Sequence, residues 1–175
     1  MAGDVNSNIG SALPPSGGAS LLDPLLNLIS NIPILINLTN EGENQIDANN
    51  WYNQGANFYN KGYYVLALSC ANTSISSYAN AAIEQHGLIS NCWTLKGASL
   101  YMLGRYSEAI DSCDKAINIE PTNARAWHTK GIALYRLGKY KEAVLSCNRA
   151  LEVDPSDTKA WDYRKMACNA LGCTD

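Results

Sequence analysis

Charge is scarce in this sequence of 175 residues: Asp, Glu, Lys and Arg together make up 17%, against the usual quarter. Residues 1–60 lack lysine and arginine altogether while carrying Asp4, Asp23, Glu41, Glu43 and Asp47. A secretory signal opens on positive charge and a mitochondrial presequence is rich in arginine, so neither is present as written. A formal net charge of −3 argues against a general nucleic-acid binder, which is normally basic. Uninterrupted apolar runs are missing too. The stretch Leu21 to Leu38 is long enough to span a bilayer, but Asp23, Pro24, Asn27, Asn31, Pro33 and Asn37 cut it, which rejects a membrane span.

The groups that carry chemistry are equally thin. Histidine occurs only at 86 and 128, far apart and without metal-ligand spacing. The six cysteines (Cys70, Cys92, Cys113, Cys147, Cys168 and Cys173) are too few for a disulfide-built miniprotein, and no pair has the two-residue spacing of a zinc or redox site. There is no glycine-rich phosphate loop, no GxSxG elbow and no HExxH. The sequence therefore predicts no catalytic residue, no metal and no cofactor. Glu108 and Glu142 share one repeat position, which suits the start of a helix better than acid–base chemistry.

What is present is a 46% hydrophobic share, enough for a buried core, and a repeat. Trp51, Trp93, Trp127 and Trp161 mark it, with intervals of 42, 34 and 34 residues. WTLKGASLYMLGRYSEA (93–109) and WHTKGIALYRLGKYKEA (127–143) are near-copies, continuing to Ala116 and Pro121 in one and to Ala150 and Pro155 in the other. Gly97 and Gly131 allow two helices to approach closely. Gly104 and Gly138 suit a left-handed helix end. Ala109 and Ala143 pack at short range, and Pro121 and Pro155 stop the second helix. This pattern closely resembles the tetratricopeptide repeat, with its landmarks at a 34-residue period.

The resemblance implies an all-α protein, a right-handed α-solenoid of three helix pairs over 48–89, 90–123 and 124–157. A capping helix follows over 158–172 and an apolar extension precedes the repeats over 1–47. The polar residues Lys159, Asp162, Arg164, Lys165 and Asn169 suit a cap that ends the stack in water. In the first unit, Trp51, Gly55, Phe58, Gly62, Tyr64 and Ala67 match, but eight extra residues follow. These predict a longer second helix, about Leu66–Gln85, ending near Gly87. The bulky aromatic expected in the second helix is Cys113 in one repeat and Cys147 in the next, so packing there should be looser or filled by a neighbour. Their equal phase forbids a mutual disulfide, because stacked helices lie roughly 8–10 Å apart and a disulfide needs closer α-carbons. Buried apolar thiols are the expected state.

In this family, by resemblance, first helices line a concave groove that holds a peptide. The positions that match are Asn49, Tyr52, Ala56 and Tyr59, then Asn91, Thr94, Ala98 and Tyr101. Next come Arg125, His128, Ile132 and Tyr135, and finally Lys159, Asp162, Met166 and Asn169. Tyr59, Tyr101 and Tyr135 recur at one phase and predict a ladder of amphipathic anchors, or simply a covering of the helix surface. Some family members clamp acidic chaperone tails. A groove with Arg125 and Lys159 as its only cations points away from that ligand.

Residues 1–20 are rich in Gly, Ser, Ala, Pro and Asn and read as a flexible arm. Asp23-Pro24 then reads as a helix start. Leu21, Leu22, Leu25, Leu26, Ile29 and Ile32 share one face up to Pro33, after which Ile34, Ile36 and Leu38 alternate. Such a segment needs a burial site: the chain's own groove or first repeat, a neighbouring copy, or another protein. In trans the contact is head-to-tail, and head-to-tail contacts that do not close make polymers. The expected function is a non-enzymatic scaffold whose segment 21–38 docks on a neighbouring subunit, as a homo-oligomer or cell-surface filament. The alternative is a monomeric adaptor holding a segment of another protein. Asn37 and Asn72 head glycosylation sequons and, with the low charge, favour an extracellular or cell-surface setting over the cytoplasm.

Overall fold

Three glycines set the period of the fold. Gly62, Gly104 and Gly138 adopt φ of 82°, 77° and 74°, the left-handed region that costs glycine least. Each closes a helix by a pair of bonds. Gly104 N–H donates to Tyr101 O and Arg105 N–H to Leu100 O, at 3.0 and 2.9 Å, and Gly138 and Lys139 repeat the arrangement on Tyr135 and Leu134. These bonds satisfy the carbonyls that a helix end leaves open.

The computed structural model describes residues 48–80 and 86–172, which form seven helices and no strand. They are α1 (Ala48–Asn60), α2 (Tyr64–Asn80), α3 (His86–Met102), α4 (Tyr106–Ile119), α5 (Ala124–Arg136), α6 (Tyr140–Val153) and α7 (Thr158–Leu171). The expected arm, the segment 21–38 and the Asn37 sequon lie outside the described residues. α1–α2, α3–α4 and α5–α6 are antiparallel pairs, and α7 packs on α6 and α5. The prolines act beyond the helix ends: Pro121 and Pro155 offer their carbonyls to the indole N–H of Trp127 and Trp161, at 2.8 and 3.2 Å.

The predicted end of the second helix, residues 81–85, lies outside the described residues. α2 has 17 residues against 14 in α4 and α6, and α3 has 17 against 13 in α1 and α5. Gly87 lies in the first turn of α3 rather than at the end of α2. With no proline between 68 and 89 to fix a boundary, the sequence held no marker for where one helix stopped.

Packing at the cysteines is tight, not loose. A Cβ added at Gly97 would lie 2.7 Å from Cys113 Sγ, and one at Gly131 the same distance from Cys147 Sγ. The thiol therefore fills the space that the absent glycine side chain leaves, where an aromatic ring would not fit without moving a helix. Ala67, Ala109 and Ala143 are fully buried beside these contacts. Cys70, Cys92, Cys113, Cys147 and Cys168 are all free and buried. Burial pushes the Cys113 thiol up to about 12 and those of Cys70 and Cys147 to about 11, so they stay protonated and unreactive.

Gly131→Ala should therefore destabilise the full chain by about 1–3 kcal/mol, the usual cost of overpacking. Combining it with Cys147→Ala should recover part of that loss in urea unfolding. Costs that simply add in the double variant would show that the glycine–thiol contact is not the cause.

Candidate functional site

Successive first helices touch one another, α1 to α3, α3 to α5 and α5 to α7, whereas α2, α4 and α6 make no comparable contact among themselves. The layer of first helices is therefore the inner, concave one. A cavity of about 530 Å³ opens on it, lined by Tyr59 of α1, Thr94, Ala98, Tyr101 and Met102 of α3, Arg125, His128, Thr129 and Ile132 of α5, and Lys159 and Tyr163 of α7. Its lining holds two cations and a histidine, and no carboxylate. The floor is small and apolar: Ala98 and Ile132 are buried, as are the side chains of Thr94 and Thr129.

Each helix places its residues for a local reason. α5 and α7 start on side-chain caps, with Asn123 Oδ1 accepting from Ala126 N–H and Asp157 Oδ1 from Ala160 N–H, both at 3.0 Å. The same two residues reach back to the preceding first helix. Asn123 Nδ2 donates to Ser90 Oγ at 2.8 Å and Thr94 Oγ1 at 3.1 Å. One repeat on, Asp157 Oδ2 accepts from His128 Nδ1 at 2.5 Å. Thr94 and His128 are equivalent positions, so the two junctions share a design but differ in charge. Burial works against the ionised Asp157 carboxylate, but hydrogen bonds from His128 and the Ala160 amide outweigh it and hold its pKa below the ordinary value.

The tyrosines have a double role. Tyr59, Tyr101 and Tyr135 each pack on the first residue of their own second helix, Tyr64, Tyr106 and Tyr140, at 5.5, 5.6 and 5.5 Å between ring centres. Tyr59 and Tyr101 also line the cavity. Tyr135 does not, and its ring meets Tyr163 instead, at 5.6 Å. Burial pushes the Tyr59 and Tyr101 phenols up, with the Tyr163 hydroxyl adding to the effect at Tyr101. The Tyr101 and Tyr163 hydroxyls lie 3.5 Å apart, and Arg136 Nε donates to Tyr101 at 3.3 Å. These contacts close one rim of the cavity.

Of the sixteen positions expected in the groove, Tyr59, Thr94, Ala98, Tyr101, Arg125, His128, Ile132 and Lys159 line this cavity. Asn49 accepts from the Tyr78 hydroxyl of α2 at 2.6 Å, and Asn91 lies at the edge of the Asn123 network. Tyr52 and Ala56 are half-buried on α1, and Asp162, Met166 and Asn169 are exposed on α7, all outside the cavity. Met102, Thr129 and Tyr163 line it unforeseen. Tyr163 sits at the phase of Leu95 and Thr129, one step around the helix from the positions counted. A tyrosine where the copies carry Leu and Thr was the available signal. Asn72 is exposed on α2, but the hydroxyl of Ser74 in its sequon is buried and donates to Ala48 O at 2.7 Å.

Because the Asp157 pKa is depressed on folding, its stabilisation is present above the ordinary value of 3.8 and is lost as pH falls below it through the folded value. Asp157→Asn keeps a good N-cap and removes that titration. The variant's urea midpoint should fall less than the wild type's between about pH 5 and pH 3; parallel acid limbs would contradict this account.

Residues 90–123 and 124–157 match the tetratricopeptide repeat family. No curated protein matches the chain. Among solved structures, the first TPR domain of Spaghetti (RPAP3), bound to the HSP90 peptide SRMEEVD, is similar at a TM-score of 0.64 and 20% identity, over 71% of this chain and 95% of that one. The Arabidopsis OM64 TPR domain gives 0.62 and 20%, over 70% and 94%. The Sgt2 TPR domain from Aspergillus fumigatus gives 0.63 and 14%, over 73% and 80%. At these identities the likeness establishes the fold, an α-solenoid of tetratricopeptide type.

Proposed function

We propose that this chain, whose two central helix pairs are tetratricopeptide repeats, is a non-enzymatic scaffold that binds an acid-bearing peptide segment on its concave face. One observation carries this reading: the cavity between α1, α3, α5 and α7 presents Arg125, Lys159 and His128 and no carboxylate. The cations are the two counted along the sequence, Arg125 and Lys159, and Asp162, the acidic residue among the counted positions, does not line the cavity with them. Tyr59, Tyr101, Met102 and Ile132 supply the amphipathic and apolar area that anchors such a segment. The RPAP3 domain of the same fold holds a peptide with two consecutive glutamates, which is consistent with this chemistry but does not identify the ligand here.

The test is calorimetric titration of the full chain with SRMEEVD and with SRMQQVN amide, in which every carboxylate is replaced by an amide. The acidic peptide should bind roughly tenfold more tightly, and Lys159→Glu should remove that advantage, as expected for one or two charge-assisted hydrogen bonds. Equal affinity for the two peptides would rule the reading out.

A second reading follows from residues 1–60, which have no cation, five acidic residues and the apolar anchors of 21–38. That region has the composition the groove suits, so a neighbouring copy is a ready source of the segment. The scaffold then self-associates as a homo-oligomer or head-to-tail polymer, with a cell-surface filament as its extended form. In the competing arrangement, 21–38 caps its own first repeat and the groove serves a different protein. Sedimentation and electron microscopy of the full chain beside residues 48–175 separate the two. Assembly of the full chain alone supports self-association, and two monomers end it.

A further inference from the structure

The two repeat junctions differ in a way the peptide-binding reading does not use. At the first, the cap residue Asn123 meets Thr94, and neither side chain titrates. At the second, the cap residue is Asp157 and its partner is His128, at the same two repeat positions. Both of these side chains are only 17–18% exposed, and His128 also lines the cavity. An ionised carboxylate can only accept a hydrogen bond, so the His128 proton facing Asp157 is on Nδ1. The remaining ring nitrogen, Nε2, is then an acceptor while the imidazole is neutral and becomes a donor once it is protonated.

We propose that Asp157 is a positioning residue that fixes the His128 tautomer, and that His128 is a pH-dependent specificity determinant for acid-bearing segments in the groove. The idea rests on the acid-binding reading above. In the neutral ring, Nε2 repels a carboxylate oxygen that approaches it, lone pair against lone pair. In the protonated ring the same atom offers a proton, and the cavity gains a third positive group beside Arg125 and Lys159.

The groups around the imidazole support this. Arg125 lies one turn earlier on α5, Lys159 and Tyr163 come from α7, Tyr59 from α1 and Tyr101 from α3, with Asp157 at the start of α7. Asp157 is the one carboxylate facing His128 among these residues, and its depressed pKa keeps it ionised throughout the imidazole range. Burial holds Tyr59 and Tyr101 neutral over the same range. No other imidazole lines the cavity. An anionic segment and a protonated His128 therefore favour each other, and by linkage the effect is reciprocal.

Two measurements on the full chain test the proposal. Titration with SRMEEVD from about pH 8 to about pH 5.5, the window in which an imidazole changes charge, should show affinity rising roughly tenfold, as for one added charge-assisted hydrogen bond. His128→Gln should flatten the profile. Proton–nitrogen NMR of the ring should show Nδ1 protonated and Nε2 bare at the high end. In Asp157→Asn, whose side-chain amide can donate to the ring, the Nδ1 proton should no longer be fixed and the neutral ring should show the Nε2 tautomer as well, while circular dichroism stays unchanged. A pH dependence that survives His128→Gln, or a neutral ring protonated on Nε2, would overturn the inference. If SRMEEVD fails to bind at any pH but the ring behaves as described, the acid-binding reading fails and the positioning role of Asp157 stands.

Discussion

The rest of the structure depends on the close approach of two helices at a glycine. Gly97 meets Cys113, and Gly131 meets Cys147, with no room between them for even a methyl group. In the first pair, a Cβ added at Gly55 would lie 3.0 Å from Cys70 Cβ and 2.9 Å from Leu95 Cδ2 of the next repeat. The spacing set there determines how the pairs stack. First helices then touch their successors while second helices do not, and the array bends toward the first helices. A concave face follows from the short radius of a glycine, and the cavity follows from the concave face. A larger side chain at Gly97 or Gly131 acts on the groove as well as on stability, because it tilts the helix that carries Ala98 and Tyr101 or Ile132.

Polar groups in this packing are satisfied locally, which explains how the core accommodates so many. Thr94, Ser99 and Ser112 are buried and donate to the carbonyl four residues earlier, at 2.9, 2.8 and 2.8 Å. Such bonds ask nothing of a neighbour, at the cost of a slight bend or loss of stability in the helix that makes them. Ser74 and Ser90 reach further, donating to Ala48 O and Ala116 O at 2.7 and 3.1 Å, and Asn123 crosses a repeat boundary. It ties Ser90 and Thr94 of one repeat to the start of the next, so it fixes inter-repeat geometry by hydrogen bonding where the alanines fix it by volume. Trp127 adds a third tie through the Pro121 carbonyl.

How much of this was legible in the sequence depends on whether a feature repeats. The helix pairs, the left-handed glycines at 104 and 138 and the buried alanines all recur in register, so each copy corroborated the other. Features that do not recur have no second copy to support them. The insertion after the first repeat has nothing to align with, so the pattern sets no boundary within it. The cysteines at 113 and 147 repeat, but they were compared with the bulky residue of the family pattern and not with the glycine across from them. The groove positions were counted from helical phase alone, which gives direction but not depth. Half of them fall outside the cavity, and Tyr163 enters it from a phase that the count excluded.

The fourth tryptophan helix shows the same logic by departing from it. α7 keeps Trp161, Ala160 and Ala167 at first-helix positions, but where the three repeats place glycine it has an exposed Lys165. A lysine there puts a long charged side chain where the other first helices offer glycine to their partner. Arg164 lies over the Trp161 ring at 5.3 Å and donates to Asn148 at 2.8 Å, covering with charge what a second helix would have covered with apolar area. Because α7 is still a first helix, its inner face belongs to the groove, and Lys159 and Tyr163 project from it into the cavity. The helix that ends the solenoid in water is also the wall that gives the groove its charge. The cavity therefore concentrates at the capped end, where a His–Asp pair replaces the neutral junction upstream.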